Sequence, residues 1–382
     1  MAEETRKKKK KGELAGPWAA LLRGQQKNKT AIKNLRFVLE RDEEGRYKAS
    51  WAEKDDESLE HLVWSGKRRV ELRASPSSEK AGVEVELLYR AKDESKRWCP
   101  PDARYDGRKE KGALSLLQSH LQKAVRRGKA QVAAQTAREL LAIKFGDNLI
   151  GLDFLLRRFP IICVEDATPR PEVVNPFVWF LLAGSDYKLC EADVNFLLGA
   201  VFATASDTAI RQPLSEENYL DNLPLSSSLA LSLLARAAYG GMKGDVDMLF
   251  RAAANTSDNE TETIAGTIAP LVATTLPRLR PNDWIPEGVD FHCKHGEIIQ
   301  IMKQRDPSRF ETVDDNDISD WMWHTRSSVN VRKKTTTTKK RPREPHWAGP
   351  DAHDLASQCA LDIIKAAYKP AAAGGKSYHH HH

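Results

Sequence analysis

The sequence predicts an α+β protein that is mainly helical. Two patterns indicate this class: apolar and polar residues alternate between Asn34 and about Arg90, and apolar residues recur at helical spacing from Gly112 onward. A chain of 382 residues, 41% of them hydrophobic, can bury a proper core. We therefore predict a small β-rich module followed by a bundle-like helical domain, with basic flexible arms at the edges.

The N-terminal part divides into an arm, a β-rich module and a linker. Residues 1–33 are polar and lysine-rich, which predicts a flexible arm. The β-rich module spans 34–92, where turn signals at Glu44-Gly45 and Ser75-Pro76 separate the predicted strands. Apolar and polar residues alternate in three runs, 35–39, 70–72 and 83–87. The charged segment 93–111, which contains Cys99-Pro100-Pro101, is predicted to be a linker.

The helical domain is predicted at 112–281. Its first helix would end at Gly128 and carries Leu114, Leu117, Leu121 and Ala124 or Val125 on one face. The second helix carries Ala133, Ala137, Leu140 and Leu141. Further helical segments are predicted at 149–164, 173–182, 194–202, 229–238, 246–253 and 264–276. Pro160 interrupts the first of these, and we favour a kinked helix over a short buried strand at 161–164 because the neighbouring segments are helical.

Beyond residue 281 the apolar density falls and basic charge returns. A tryptophan-containing extension is predicted at 282–330 and a basic low-complexity linker at 331–350. An amphipathic helix follows at 351–369, with Ala352, Leu355, Cys359, Ile363 and Ala367 on one face. Residues 370–382, which end in four histidines, are predicted to be a tail or tag and carry no functional argument.

Composition excludes several classes of protein. The five cysteines are an odd number with no close pairs, which argues against a disulfide framework and favours a reducing compartment. The longest apolar runs fall far short of the ~18 residues that a membrane-spanning helix needs. We therefore expect neither a secreted disulfide scaffold nor a membrane protein.

Motifs for enzymatic chemistry are missing from the sequence. The segment Ser65-Gly66-Lys67-Arg68 has His61 where a P-loop needs its first glycine and Arg68 where it needs a hydroxyl. The glycine-rich segment 240–244 also lacks the spacing, and we find no dinucleotide or hydrolase motif. The sequence thus predicts no cofactor. No motif supports the further possibility of an enzyme whose site is assembled from scattered residues.

Two clusters have a catalytic or metal-binding interpretation and a structural one. His292, Cys293 and His295 lack the second ligand pair that a zinc site needs, so a packed loop is the favoured interpretation. Glu165-Asp166 lie close to Cys163, but neighbouring carboxylates make a thiol less reactive. We predict that this acidic pair is structural and ends a helix.

Basic charge is distributed unevenly, and it predicts contact with nucleic acid. Residues 1–36 alone carry a net charge of about +8, against +6 for the whole chain. Lysine and arginine side chains that neutralise phosphates release counterions and need no particular fold. The candidate contacts in the two lysine-rich runs are Lys7, Lys8, Lys9, Lys10, Lys11, Lys333, Lys334, Lys339, Lys340 and Arg341. Those of the helical domain are Lys123, Arg126, Arg127, Lys129, Arg157 and Arg158, although cations at a helix C-terminus also have a structural role.

Part of the helical domain resembles a known arrangement. The stretch Leu-Leu-Gln-Ser-His-Leu-Gln-Lys-Ala-Val-Arg-Arg-Gly at 116–128, the alanine-rich segment 133–141 and the stretch 155–167 ending near Glu165-Asp166 are similar to the C-terminal helical domain of MgsA/RarA-type clamp-loader-like ATPases. The resemblance implies an oligomerising collar that works near replication forks with single-stranded-DNA-binding partners. No ATPase core is found upstream, where the β-rich module stands. Only the helical scaffold carries over, with Arg157, Arg158, Glu165 and Asp166 as matching positions.

Together these observations predict a non-enzymatic, nucleic-acid-associated accessory protein of DNA replication or repair. DNA is the preferred partner, and the helical domain would bind protein partners or a second copy of the chain. The alternative is a nuclear adaptor whose lysine tracts act only as import signals, since Lys333-Lys334 and Lys339-Lys340-Arg341 have bipartite spacing. The expected location is the nucleus in a eukaryote and the cytoplasm otherwise. A helical domain of this kind combined with an unrelated β-rich module suits a protein from a large DNA virus, a mobile element or a protist nucleus.

Overall fold

The protein is an α+β fold in which a four-stranded sheet precedes a set of helices. The computed structural model describes residues 34–53, 60–108, 112–210, 213–224, 226–256, 268–290, 294–329 and 344–371. This architecture confirms the predicted fold class. In the described part of the chain, no helix is long and apolar enough to cross a membrane.

The sheet has the strand order β2-β1-β4-β3. Its strands are β1 (Asn34–Arg41), β2 (Tyr47–Glu53), β3 (Leu62–Leu72) and β4 (Ala81–Ala91). The outer pairs are antiparallel, whereas β1 and β4 run parallel, with Phe37 opposite Leu87. Apolar side chains alternate with polar ones along β4, so one face of the sheet is buried and packs against helices.

Twelve helices follow the sheet in the described part of the chain. They are α1 (Leu114–Arg126), α2 (Ala130–Ala142), α3 (Ile150–Asp166), α4 (Pro171–Ala183), α5 (Glu191–Ser206), α6 (Ser228–Tyr239), α7 (Lys243–Ala254), α8 (Glu287–Asp290), α9 (His295–Arg305), α10 (Pro307–Phe310), α11 (Asp315–Arg326) and α12 (Pro350–Ala367). The first ends as predicted, because Gly128 takes a left-handed conformation (φ 68°) that a glycine adopts without strain. Helix α3 continues through Pro160, which confirms the helical interpretation of that segment.

The sheet and the helices share one hydrophobic core. Trp179 of α4 is fully buried, and its indole N–H donates to the carbonyl of Phe37 on β1 over 3.0 Å. Its ring makes edge contacts with Trp64 of β3 and Tyr89 of β4. Because α4 is covered on one side by the sheet and on the other by helices, nearly all of its residues are buried, which explains its continuous apolar run.

A buried carboxylate fixes α5 to the sheet. Asp193, in the first turn of α5, accepts hydrogen bonds of 2.5 Å from the hydroxyls of both Tyr47 and Tyr89. Its other oxygen accepts from the Tyr187 hydroxyl and, at 3.0 Å, from the backbone N–H of Cys190. Burial is the largest cause of the raised pKa of all three tyrosines, so they remain protonated donors.

Three sequence-based expectations need correction. The predicted linker is irregular over 93–108, but it packs on the helices: Tyr105 is buried, and its hydroxyl accepts from the Trp284 indole N–H at 2.6 Å. The described part of the predicted helix 264–276 is irregular apart from a 3-10 turn at Ala273–Thr275. The buried face of α12 is rotated, so that Leu355 and Ile363 are only half-buried. Its buried residues are Ala352, Ala356, Cys359, Ala360, Ile364 and Ala367.

Candidate nucleic-acid interface

The cations at the end of α1 point into the protein. The Lys123 ammonium donates to the carbonyl oxygens of Arg326 and Ser327, and the Arg126 guanidinium donates to the Ser327 carbonyl over 3.0 Å. Arg127 donates to the Arg326 carbonyl at 2.6 Å. Carbonyl groups at the end of a helix have no partner within that helix, and here the three cations satisfy those that end α11.

Three carboxylates from two other helices, α3 and α8, balance these cations and Arg326. Arg126 pairs with Asp166 at the end of α3, 2.6 Å apart, and both side chains are almost fully buried. Arg127 pairs with Glu287 of α8 at 3.1 Å. Arg326 of α11 pairs with Asp290 of α8 at 2.5 Å. We call this set the anchor cluster: Lys123, Arg126, Arg127, Asp166, Glu287, Asp290 and Arg326.

Burial controls protonation within the anchor cluster. It lowers the pKa of Lys123 to about 7, assisted by the neighbouring Arg126 and Arg127. Burial also raises the pKa of Asp290, although Arg326 beside it acts in the opposite direction.

This geometry corrects part of the predicted phosphate-binding surface. Lys123 and Arg126 are 1% and 2% exposed, so a phosphate cannot reach them in this conformation. Arg127 is half-buried within the same cluster. The anchoring role agrees with the structural interpretation of cations at a helix C-terminus, and the acidic pair at the end of α3 is structural, as predicted.

The remaining candidates of the helical domain do not form one open surface. Arg158 is half-buried and lies 2.7 Å from Asp245 of α7 and 3.6 Å from Glu165. Arg157 lies 3.1 Å from Asp153 one turn earlier on α3. Lys129, between α1 and α2, is exposed. Of the six residues proposed for this surface, Lys129 alone is classed as exposed.

The anchor cluster holds the residues that directly precede the C-terminal basic run, 330–343. Ser328, two residues after α11, has a left-handed φ of 56°, and its hydroxyl accepts from Arg127 at 2.9 Å. The candidate residues Lys333, Lys334, Lys339, Lys340 and Arg341 lie outside the described residues, as do Lys7 to Lys11. The chain is described again from residue 344.

The far side of the basic run is also fixed to the core. Trp347 is 9% exposed and makes edge contacts with Trp321 of α11 and Phe310 of α10. Arg326 connects the two sides directly, because its guanidinium donates to the carbonyl of His353 and the hydroxyl of Ser357 on α12. The basic run therefore joins two anchored ends of the core.

His120 of α1 positions α8, which carries two carboxylates of the anchor cluster. The ring is fully buried and stacks on Trp284 with centroids 4.3 Å apart. Its Nε2 accepts from the backbone N–H of Ile285 at 2.9 Å, so Nδ1 carries the proton that it shares with the Thr136 hydroxyl. Sequence analysis missed this role, because a single histidine on a helix has no local signature.

The buried His120 predicts a loss of stability in acid. Burial lowers its pKa to about 3, so between about pH 6.5 and about pH 3 the unfolded chain binds a proton that the folded protein does not. The free energy of unfolding should therefore fall by up to about 1.4 kcal/mol per pH unit on acidification through this window. Urea unfolding at about pH 7 and about pH 5 measures the slope.

A matched pair of variants tests whether His120 causes this slope of stability against pH. His120→Gln should be less stable at neutral pH but should lack this part of the pH dependence. His295→Gln, at an exposed position of α9, should retain the full slope. An identical slope in the wild type and in His120→Gln would show that other groups are responsible.

The other predicted clusters show no catalytic or metal-binding arrangement in the described structure. His292 and Cys293 lie outside the described residues, and among those described no group of three or more His, Cys, Asp or Glu side chains is placed to hold a metal ion. Burial raises the pKa of Cys163, which favours the unreactive thiol. A surface pocket of about 440 Å³ lies beside the β1–β2 turn, and its lining sets three cations, Arg41, Arg90 and Lys92, beside four carboxylates. These are Glu40, Asp42, Glu43 and Glu44.

Comparison of the chain with protein-family models, with curated proteins and with solved structures finds no match. The resemblance of 116–167 to a clamp-loader-like collar therefore remains a prediction from the residues. The class supported by the structure is an α+β protein with a large helical part.

Proposed function

We propose that this protein is a non-enzymatic, nucleic-acid-associated accessory protein that carries a basic run between two anchored segments of its helical core. The observation that carries the proposal is the anchoring of both ends of the run 330–343. That run contains seven lysines and arginines and no acidic residue. Lys123, Arg126 and Arg127 hold one end, and Trp347 packs at the other.

Anchoring at both ends favours binding over a purely solvated role for the charges. A chain segment whose two ends are fixed is confined to a smaller volume than a free tail of the same length. The resulting concentration of positive charge attracts the phosphate backbone of a nucleic acid. DNA is the proposed partner, and a role in replication or repair with self-association of the helical part rests on the resemblance alone.

The proposal is tested by the salt dependence of DNA binding. In the variant Lys333→Gln, Lys334→Gln, Lys339→Gln, Lys340→Gln and Arg341→Gln, each lost phosphate contact should remove about 0.9 from the slope of log affinity against log salt, up to about 4.5 in total. A titration of labelled duplex DNA at several salt concentrations measures this slope. Melting temperature should stay unchanged, because the substitutions leave the anchor cluster intact.

The control exchanges the same four lysines for arginine and keeps the charge. This variant should bind duplex DNA with the wild-type slope. A second variant with Lys7 to Lys11 replaced by glutamine separates the contribution of the N-terminal run. If neither neutralised variant changes affinity or slope, the basic runs are not the contact and the proposal fails.

The bipartite spacing of Lys333-Lys334 and Lys339-Lys340-Arg341 keeps nuclear import as the second candidate function. Import predicts that neutralising the run abolishes nuclear accumulation of a fluorescent fusion while DNA affinity stays constant. DNA binding predicts instead that neutralising the run lowers the DNA affinity of the purified protein.

A further inference from the structure

The most exposed large apolar side chain among the described residues belongs to a tight hairpin between α2 and α3. Phe145 is 74% exposed. Its backbone N–H donates to the Asn148 carbonyl at 2.9 Å, and the N–H of Asn148 donates back over 3.0 Å. Gly146, between them, takes a left-handed φ of 59°. The two hydrogen bonds and the turn hold the aromatic ring out from the core in a defined place.

The base of this hairpin is also fixed. The backbone N–H of Gly151 in α3 donates to the Ile143 carbonyl at 3.0 Å, and Ile143 itself is 1% exposed. Its side chain lies against Gly107, where an added Cβ would be 2.6 Å from Ile143 Cγ2. The hairpin is therefore in direct contact with the segment 104–108.

That segment brings cations to the same end of the fold. Arg108 is exposed and pairs with Asp106 at 2.6 Å, and Lys369, after α12, lies 3.7 Å from the same carboxylate. One carboxylate thus faces two cations. The hydrogen bonds from Arg108 lower the pKa of Asp106 to about 2, so Asp106 stays ionised near neutral pH.

Cations outnumber acidic residues on the segments that meet at this end of the fold. Lys144 precedes Phe145 directly and is exposed, and the backbone of Lys369 is bonded to the carbonyl of Arg104 at 2.6 Å. Asp147 is the acidic residue of the hairpin. Two residues span at most about 7 Å, so the Cα atom of Phe145 lies within about 7 Å of that of Ile143, whose side chain contacts Gly107.

We propose that Phe145, with Lys144, Arg108 and Lys369, is a stacking platform for single-stranded nucleic acid. Aromatic rings that project from a basic surface stack on unpaired bases, while the cations contact the phosphates on either side. A duplex keeps its bases stacked inside the helix and offers no base face to the ring. This inference deepens the proposed function, on which it rests. It names single-stranded nucleic acid as the ligand of a second contact, apart from the C-terminal basic run.

The test compares a labelled oligothymidylate with a duplex of the same length, on the full chain. Phe145→Ala should weaken single-strand binding by about 5- to 100-fold, since stacking on one base is worth about 1–3 kcal/mol. Phe145→Trp should bind at least as tightly as the wild type. Phe145→Leu should behave like Phe145→Ala, because leucine keeps an apolar surface without a ring. Duplex affinity should be the same for all four proteins.

Met242→Ala is the matched control, because Met242 is a 69% exposed apolar residue on another loop. It should leave single-strand affinity unchanged. Equal losses on single strands and duplex, wild-type affinity for Phe145→Ala, or a wild-type protein that does not bind the oligothymidylate would each overturn the platform. If the variant with the neutralised C-terminal basic run loses duplex binding but keeps a Phe145-dependent single-strand affinity, both proposals stand. If neutralising the basic runs changes nothing while Phe145→Ala still acts, only the proposal for the basic runs fails.

Discussion

Replacing Arg126 by methionine should lower the free energy of unfolding by about 3–5 kcal/mol. The substitution removes the partner of Asp166 and leaves that carboxylate buried, with Gln122 as its remaining side-chain donor at 2.7 Å. It also removes one donor from the Ser327 carbonyl. An unpaired charge in the interior is costly because it has lost its hydration without gaining an ion pair. Urea unfolding at neutral pH measures the change.

The control for this prediction is the half-exposed pair of Arg157 and Asp153 on α3. Arg157→Met should cost no more than about 1 kcal/mol, since solvent screens an ion pair at the surface. The double variant Arg126→Met, Asp166→Leu should recover much of the loss, because no unpaired charge then remains inside. A loss under about 1 kcal/mol for Arg126→Met alone would mean that water reaches Asp166.

Replacing Asp193 by alanine should be as damaging, with an expected loss of about 3–6 kcal/mol in unfolding free energy. Three tyrosine hydroxyls and the backbone N–H of Cys190 lose their acceptor at once. Hydrogen bonds to a charged group are worth about 1.5–3 kcal/mol each. The loss is smaller than their sum because the Tyr89 hydroxyl can still donate to Tyr47, 2.9 Å away. Thermal and urea unfolding both report on it.

Glu191→Ala is the matched control in the same helical turn. Glu191 is exposed, so its removal deletes a similar charge near the helix N-terminus at a cost of about 0.3–1 kcal/mol. Asp193→Asn should fall between the two variants, because the amide keeps one acceptor oxygen. Similar losses for Glu191→Ala and Asp193→Ala would show that helix-end electrostatics, and not the tyrosine hydroxyls, dominate at this site.

The sequence by itself determined the fold class and the positions of most helices. Alternation along 83–87 and the spacing of Leu114, Leu117 and Leu121 predicted elements that the structure confirms, because burial of one face imposes a period on the chain. Apolar residues in an irregular segment follow no fixed period, and a short run of them can match the spacing of a helix. For this reason the described part of 264–276 was predicted as a helix, although its residues pack without one.

The tertiary structure alone decided which charged residues are available to a ligand. Lys123 and Lys129 look alike in the sequence, yet the first is buried against the end of α11 and the second is exposed. The partners of the buried cations come from distant positions: Asp166 is 40 residues from Arg126, and Arg326 is 36 from Asp290. Burial of a charge depends on these long-range pairings, since an ion enters the interior only where an opposite charge or a hydrogen-bonding group compensates its lost hydration. Local pattern does not contain that information, and so the anchor cluster and the exposed ring of Phe145 emerged only from the folded chain.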